Sequence, residues 1–360
     1  MTDRDHMRHA LALAERALGR VAPNPAVGCV IVSPDGRSVG RGWTQPSGRP
    51  HAESVALAQA GALARGSTAY VTLEPCAHLG QTPPCAGALI GAGVSRVLAA
   101  VEDPDPRVKG KGFAMLRGAG VEVQVGLLER EAARLNDGFF LRLQKERPLV
   151  TLKIAQSRGG GTIPPPGASR WITGEESRRF VHLLRAKHDA ILIGIGTAVA
   201  DDPELTCRLP GLKDRSPVRI VLDTHLQLPL NLKLVQTAPD IPTMAFTASA
   251  GGDRLRAHAV EVLRVVPDES GRPALPAVLG VLAGRGCTRL LVEGGPAIWS
   301  AFLRQRLVDH LEIFTAPTDL AEHARGHIPA LIDDGISARF ERMEKRTFGA
   351  DVLERYAVTA

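Results

Sequence analysis

Strand and helix patterns alternate along this chain, and the alternation constrains its fold more than any other feature. Short apolar runs such as residues 27–32 and 149–155 predict buried strands, and amphipathic segments such as residues 128–143 predict helices between them. The pattern stops at the charged stretch 144–148 and then starts again. Because 360 residues exceed one ordinary domain, we expect two α/β domains, over residues 1–146 and 147–360.

Composition and charge exclude several classes of protein. The chain is 44% hydrophobic and 23% charged, and no run approaches the roughly 18 apolar residues of a membrane span. Its first residues alternate charges, unlike a signal peptide. Five scattered cysteines make no disulfide framework, as expected in the cytoplasm. The net charge of +6 is dispersed. It favours a small anionic ligand, so we expect no nucleic-acid partner and no membrane partner.

Three residues of the first half have the chemistry of zinc ligands. His51 opens a predicted helix, and Cys76 and Cys85 each follow a proline. One imidazole and two thiolates fill three positions of a tetrahedral zinc ion and leave the fourth for water, as in catalytic sites. Zinc lowers the pKa of such a water to about 7. Glu53 would lie beside the ion and carry protons, which predicts a hydrolytic deaminase.

Other interpretations of these residues remain open at this point. The three side chains could be buried separately, or they could form a closed structural site with a fourth protein ligand, for which His78 is the candidate. Nucleic-acid deaminases share the zinc chemistry, but they place two residues between their cysteines, whereas eight separate Cys76 from Cys85. Cys29 lies in an apolar strand and is expected to be a core residue.

The motifs around these residues resemble those of the bifunctional riboflavin-biosynthesis deaminase/reductases. In the first half they are P-N-P-x-V-G-x-V at 23–30, H-A-E at 51–53, T-L-E-P-C-x-H-x-G-x-T-P-P-C at 72–85 and D-P-x-P-x-V-x-G-x-G at 103–112. In the second half they are W-I-T at 171–173, L-R-A at 184–186, G-x-x-T-x-x-x-D-D-P-x-L-T-x-R at 194–208 and V-E-G-G-P at 292–296. The resemblance implies a cytidine-deaminase-like three-layer α/β/α domain followed by a dihydrofolate-reductase-like α/β domain. It also implies one zinc ion per chain, NADPH and a small phosphorylated pyrimidine substrate, and we expect a homo-oligomer.

The resemblance also implies roles for individual residues. The zinc ligands would be His51, Cys76 and Cys85, the proton carrier Glu53, and the pyrimidine contacts Asn24 and His78. The implied NADPH contacts are Ala155, Trp171, Thr197, Asp201, Thr224, Gly295, Pro296, Ala297, Ile298, Trp299, Ser300 and Ala301. The implied contacts of the phosphorylated substrate are Ser169, Arg185, Leu205, Arg208 and Glu293, and Lys153 would face the substrate or the cofactor. Guanidinium groups bind phosphate with paired donors, although either arginine could instead be a solvated surface charge.

Three segments depart from the family pattern. Ala22 stands where many members have histidine, Gly159 replaces an acidic residue, and residues 318–323 replace a basic residue and a Leu-Gly pair. Gly194-Ile195-Gly196 also lacks the third glycine of a dinucleotide fingerprint. We expect zinc-dependent deamination of a diaminopyrimidine phosphoribosyl compound followed by NADPH reduction of its ribosyl chain. The alternatives are a deaminase whose second domain is a degenerate binding or dimerisation module and, more distantly, a nucleic-acid deaminase.

Overall fold

The chain divides inside the charged stretch that interrupts its strand and helix pattern. The computed structural model describes residues 1–77, 84–163, 171–318 and 339–359. It forms two compact units, Met1–Glu146 and Arg147–Ala360. Each unit has its own sheet and its own apolar core. Within the described ranges, no helix is both long enough and apolar enough to cross a membrane.

A mixed sheet forms the centre of the first unit. Its five strands within the described residues are β1 (Gly28–Val32), β2 (Ser38–Trp43), β3 (Thr68–Val71), β4 (Arg96–Ala99) and β5 (Glu122–Val125). They lie in the order β2-β1-β3-β4-β5, with β1 antiparallel to both neighbours and β3, β4 and β5 parallel. The helices are α1 (Asp3–Glu15), α2 (Ala52–Ala60), α3 (Cys85–Gly91), α4 (Lys111–Gly118) and α5 (Glu129–Lys145). Contacts join α1 to α5, and α2 to α3 and α3 to α4, so helices form layers on the sheet.

Glycines in the strands let two helices lie directly on the sheet backbone. A Cβ atom at Gly28 would come 1.9 Å from the carbonyl oxygen of Ala10 in α1, and one at Gly42 would come 2.1 Å from that of Ala52 in α2. Atoms cannot approach so closely, so only glycine fits at these positions. The close approach to β2 fixes the start of α2, where the predicted site residue His51 caps the helix and Glu53 lies on its first turn.

The second unit has a larger and mainly parallel sheet. Its nine strands within the described residues are β6 (Leu149–Ser157), β7 (Ala190–Gly194), β8 (Val218–Leu222), β9 (Thr243–Thr247), β10 (Val260–Arg264), β11 (Arg289–Val292), β12 (His310–Ala316), β13 (Phe340–Phe348) and β14 (Asp351–Val358). The order is β10-β9-β8-β7-β11-β6-β12-β14-β13. The pairs β12–β14 and β14–β13 are antiparallel, and the other neighbouring pairs are parallel. The helices are α6 (Glu175–Ala186), α7 (Ile195–Asp201), α8 (Lys233–Gln236), α9 (Asp253–Arg256), α10 (Leu275–Gly284) and α11 (Pro296–Arg304).

Both faces of this second sheet are buried in apolar clusters. Alternate residues of β7 enter different clusters, since Leu192 packs in the cluster of Phe302 and Ile191 in the cluster of Phe314. Successive strand residues point to opposite faces, and a parallel sheet covered on both faces is apolar throughout. The covered parallel strands of this unit, such as β7 and β11, can therefore be recognised as continuous apolar runs.

Candidate active sites

Three predicted metal ligands of the first unit meet at one point. His51 caps the N-terminus of α2, Cys85 is the first residue of α3, and Cys76 precedes it in the chain. His51 Nδ1 lies 3.3 Å from Cys85 Sγ and 3.7 Å from Cys76 Sγ. A tetrahedral zinc ion with bonds of about 2.0–2.3 Å needs ligand atoms about 3.5 Å apart, so these residues fit zinc. Among the described residues, no fourth histidine, cysteine or carboxylate joins the group. His78 lies outside that part of the chain.

Burial and charge set the protonation of this cluster. A hydrogen bond from the Cys85 thiol is the largest cause that lowers the pKa of Cys76 to about 4, and the same contact raises the pKa of Cys85. Glu53 is buried on the first turn of α2. Its burial, and next the charge of Cys76, raise the pKa of Glu53 to about 7. A carboxyl group in this position is able to take up and release a proton beside the three ligands.

A further residue organises the site, and the sequence analysis gave it no role. The buried carboxylate of Glu74 accepts hydrogen bonds from the backbone amides of Gly110 at 3.0 Å and Gly112 at 2.9 Å. A Cβ atom at Gly112 would lie 1.9 Å from the carbonyl oxygen of Pro75. These contacts join the two motif segments 72–85 and 103–112 immediately before Cys76. A charged residue at the end of an apolar strand was the available signal, because a buried charge needs partners.

The first predicted pyrimidine contact lies on a segment that is held from two sides. Asn24 Nδ2 is 3.4 Å from the carbonyl oxygen of Ser47, to which it donates. Two positions on, the backbone of Ala26 exchanges hydrogen bonds of 2.9 and 3.0 Å with the buried amide of Asn136 on α5. Asn136 was also missed by the sequence analysis. The second predicted contact, His78, lies outside the described residues.

A cavity of about 480 Å³ in the second unit collects most of the predicted substrate residues and part of the cofactor set. The predicted residues that line it are Lys153, Ala155, Trp171, Arg185, Thr197, Asp201, Leu205, Arg208 and Glu293. Ser169 lies outside the described residues. In its wall, Arg185 donates two hydrogen bonds of 2.8 and 2.9 Å to Glu293. Burial alone would raise the pKa of Glu293, but Arg185 overrides it and lowers the pKa to about 2.

The cationic residues of this cavity differ in how accessible they are. The Arg185 side chain is only 11% exposed and also donates to the carbonyl oxygen of Thr206, so the alternative of a solvated charge is wrong for Arg185. The Arg208 side chain is 45% exposed and pairs with Glu204 at 3.2 Å. Lys153 lines the cavity, where burial lowers its pKa. Of these two predicted arginines, Arg208 is thus the more accessible to a ligand, while Arg185 is enclosed by its protein partners.

The remaining cofactor residues line a second cavity of about 640 Å³. These residues are Thr224, Gly295, Pro296, Ala297, Ile298 and Ala301. Thr197 lines both cavities, which therefore meet at this residue. Trp299 and Ser300 do not line it, because both are buried and Trp299 lies in the apolar core. Consecutive helix residues point in directions about 100° apart, so a continuous run of seven cannot all face one cavity.

The turn that contains Gly159 lies beside Thr318, the first residue of the second departure from the family pattern in this unit. Ser157 forms a tight turn with Gly161, with a backbone hydrogen bond of 2.8 Å, and Gly159 lies within it. The next amide, that of Arg158, donates to the carbonyl oxygen of Thr318 at 3.2 Å. Residues 164–170 and 319–323 lie outside the described part of the chain.

Comparison with known proteins agrees with this arrangement. Residues 1–101 match the family model for the cytidine and deoxycytidylate deaminase zinc-binding region, and residues 148–353 match the RibD C-terminal domain. The riboflavin biosynthesis protein RibD of Escherichia coli is 40% identical over 98% of both chains. This chain belongs to the RibD family.

Solved RibD structures extend the similarity to the whole fold. Acinetobacter baumannii RibD is 38% identical and matches with a TM-score of 0.87 over 99% of both chains. A Thermotoga maritima diaminohydroxyphosphoribosylaminopyrimidine deaminase/5-amino-6-(5-phosphoribosylamino)uracil reductase is 33% identical, with a TM-score of 0.85 over 99% of both chains. The predicted fold class is confirmed. So is the predicted function: the chain is a bifunctional RibD enzyme of riboflavin biosynthesis, with a zinc-dependent deaminase domain and an NADPH-dependent reductase domain.

Proposed function

We propose that the two domains act in succession on one small phosphorylated pyrimidine. The deaminase, residues 1–146, would convert 2,5-diamino-6-(5-phosphoribosylamino)pyrimidin-4(3H)-one to the corresponding uracil. The reductase, residues 147–360, would then reduce the ribosyl chain to give 5-amino-6-(5-phosphoribitylamino)uracil. The names of both activities of the Thermotoga maritima relative support this substrate. The observation that carries the proposal is the convergence of His51, Cys76 and Cys85 beside the buried Glu53.

In the deaminase, this chain's residues would bind the metal, hold the ring and move protons. His51, Cys76 and Cys85 would hold zinc, which supplies an activated water when it is bound. Glu53 would accept a proton from that water and deliver it to the amino group that leaves as ammonia. Asn24 and His78 would hold the pyrimidine so that its amino-bearing carbon faces Glu53.

In the reductase, NADPH would extend across both cavities. Its reacting end must lie with the substrate, so Ala155, Trp171 and Asp201 would hold the nicotinamide, with Thr197 at the junction. The rest of the dinucleotide would lie along Thr224 and the turn that begins at Gly295. The bound cofactor supplies the hydride for the opened ribosyl chain.

Residues of different exposure would contact different parts of the substrate in the same cavity. Arg208 is the more exposed of the two predicted arginines and would bind the phosphate, with Ser169 and Leu205 as further contacts. The Arg185–Glu293 ion pair would shape the wall behind the ribosyl chain, and Lys153 would face that chain. Homo-oligomerisation, cytoplasmic location and the absence of nucleic-acid and membrane partners stay predictions from the sequence.

One experiment tests both steps. The full-length, zinc-loaded protein is given the diaminopyrimidine phosphoribosyl compound with and without NADPH, and the products are identified by mass spectrometry. We expect the deaminated uracil alone without NADPH and the ribityl product with it. Deamination that never proceeds to reduction at saturating NADPH would contradict the reductase half and favour the degenerate module. No ammonia release from the zinc-loaded protein would contradict the deaminase half.

A further inference from the structure

The second cavity of the reductase contains two arginines to which the reaction gives no role. Arg272 and Arg304 both line it, together with the predicted cofactor residues Thr224 and Ala301. Helix α11 runs along this cavity from Pro296 to Arg304, a length of about 12 Å at the usual rise of a helix. Arg304 therefore lies far from the Gly295 turn and from Thr197, where the two cavities meet. A dinucleotide whose nicotinamide lies in the first cavity would extend its adenosine end toward these arginines.

The loop that carries Arg272 is held in a fixed shape by its own hydrogen bonds. Asp268 Oδ1 accepts from the backbone amides of Ser270 at 2.9 Å and Arg272 at 3.1 Å, and from the Ser270 hydroxyl at 2.6 Å. Gly271 turns the chain with a φ of 78°, in the left-handed region that glycine tolerates. A bridge between Pro267 and Pro273 closes the loop. The backbone of Arg272 is thus in place before any ligand binds, which reduces the entropy lost on binding.

The charges around this cavity favour a phosphate over a free hydroxyl. Sites that select NADH use a carboxylate to accept from the ribose 2′-hydroxyl, whereas an arginine accommodates the 2′-phosphate of NADPH. The one carboxylate in the described lining is that of Asp268, and its Oδ1 atom is already occupied by the loop. Within the described ranges, neither the Arg272 nor the Arg304 guanidinium lies within ion-pair or hydrogen-bond distance of a protein group. The Ser270 hydroxyl and, to a smaller extent, the charge of Arg272 lower the pKa of Asp268. Both guanidinium groups keep their donors available.

We propose that Arg272 and Arg304 bind the 2′-phosphate of NADPH and give this reductase its preference for NADPH over NADH. A phosphate monoester carries about −1.5 to −2 charge at neutral pH, which two guanidinium groups can match with paired hydrogen bonds. The inference rests on the proposed course of NADPH across both cavities. The inference names the residues that would distinguish NADPH from NADH. These residues contact neither the substrate nor the reacting carbon.

The test uses two ligands that differ only in the 2′-phosphate. Adenosine 2′,5′-bisphosphate and adenosine 5′-monophosphate are titrated calorimetrically into the full-length protein and into the R272Q and R304Q variants. We expect each variant to bind the bisphosphate about 10- to 100-fold more weakly, as for loss of charge-assisted hydrogen bonds, and to bind the monophosphate as the unchanged protein does. Arg179, an exposed arginine on α6 outside both cavities, supplies the control R179Q, which should leave both affinities unchanged.

Retained affinity for the monophosphate shows that a variant still has an intact cavity. Bisphosphate affinity equal to that of the unchanged protein in both variants would overturn the inference, and so would an equal loss for both ligands. Titrations with NADPH and NADH separate this inference from the proposed function. If the unchanged protein binds no NADPH, the proposed course of the cofactor fails. If it binds NADPH and both variants still prefer NADPH over NADH to the same degree, only the role of the two arginines fails.

Discussion

The carboxylate of Glu74 accepts a 2.9 Å hydrogen bond from the backbone amide of Gly112. It also accepts from Gly110 at 3.0 Å, so a buried negative charge holds a loop that is distant in the sequence. Cys76 follows two residues later, and the carbonyl of Pro75 between them packs against Gly112 with no room for a side chain. Glu74 would therefore position Cys76, although its own carboxylate is not part of the group formed by His51, Cys76 and Cys85.

Replacing this carboxylate by its amide tests that role. Glu74→Gln puts an NH₂ group against backbone donors, and loss of a buried hydrogen bond costs about 1–3 kcal/mol. Hydrogen exchange of residues 103–113 should show easier opening by that amount, and zinc affinity, measured against a chelator, should fall. Glu102→Gln is the matched control, because Glu102 is exposed in the same segment. Equal exchange and equal zinc affinity in the two variants would contradict a positioning role.

The position of helix α2 should depend on the glycine of strand β2 against which it packs. A Cβ atom at Gly42 would meet the carbonyl oxygen of Ala52 at 2.1 Å, so Gly42→Ala must push away the helix that carries His51 and Glu53. We expect a loss of about 1–3 kcal/mol in the stability of the first unit, as for other overpacked sites, and weaker zinc binding. Thermal unfolding and chelator competition measure both effects.

The control for this substitution is a glycine with free space around it. Gly118 ends α4, and no atom lies within 4 Å of its added Cβ, so Gly118→Ala should be neutral or stabilising. If Gly42→Ala is as well tolerated as Gly118→Ala, the close packing of α2 on β2 does not govern the zinc site.

The same glycines explain why part of the fold could not be predicted. Strand β1 is a continuous apolar run, and local sequence was enough to find it. Strand β2, with sequence S-V-G-R-G-W, was missed because glycine is unfavourable in strands. Its glycines are needed here because they let α2, which follows later in the chain, pack closely on the strand. The edge strand β13 was missed because it is mostly exposed and charged, so it shows no apolar pattern.

The candidate sites also contain residues that local sequence predicts and residues whose contacts depend on distant segments. The grouping of His51, Cys76 and Cys85 could be predicted because one imidazole and two thiolates together are typical of a zinc site. The contacts of Glu74 and the place of Arg272 in a cavity wall could not be predicted, because other segments of the chain supply the backbone amides and the rest of that wall. The prediction that all residues from Gly295 to Ala301 face the cofactor holds only in part, because Trp299 and Ser300 do not line the cavity. The side chain of Trp299 points into the apolar core because of its position around the helix, which a linear motif does not show.

Substitutions of Glu53 and Cys76 should impair the deaminase in different ways. Glu53→Gln keeps the shape of the side chain but cannot carry a proton, so we expect zinc to be retained and ammonia release to fall by about 10²- to 10⁴-fold. Cys76→Ala should lose zinc itself. Cys29→Ala is the control, since Cys29 is a buried core residue as predicted and should keep the metal. Metal analysis and ammonia release measure these outcomes, and full activity in Glu53→Gln would remove its proton-carrying role.

The second unit should lose stability in acid through His188. Burial is the main cause that lowers the pKa of this histidine to about 3. Its Nδ1–H donates to the carbonyl oxygen of Leu184 at 2.6 Å, and the Thr151 hydroxyl donates to Nε2 at 2.9 Å. Because the unfolded chain binds a proton near pH 6.5, this histidine costs about 1.4 kcal/mol of stability for each pH unit below that value, until it is protonated in the fold near pH 3.

The His188→Gln variant should therefore show a shallower fall in stability between neutral pH and pH 4 than the unchanged protein. Urea unfolding of the second unit, followed at several pH values, measures that slope. His225 is an exposed histidine of the same unit, so His225→Gln should leave the slope as it is. Identical slopes in all three proteins would show that His188 is not the residue responsible.

Two of the arginines that line the substrate cavity, Arg208 and Arg185, should affect binding and folding separately. Arg208 is 45% exposed and Arg185 11% exposed. Arg208→Ala should raise the Michaelis constant of the reductase for its phosphorylated substrate by about 10- to 100-fold, the value of a charge-assisted hydrogen bond, with little change in kcat or stability. Arg185→Ala leaves Glu293 buried and unpaired, which should destabilise the second unit by about 3–5 kcal/mol. Steady-state NADPH oxidation and thermal unfolding distinguish the two effects, and Arg179→Ala should alter neither. An unchanged Michaelis constant in Arg208→Ala would mean that the phosphate is bound elsewhere.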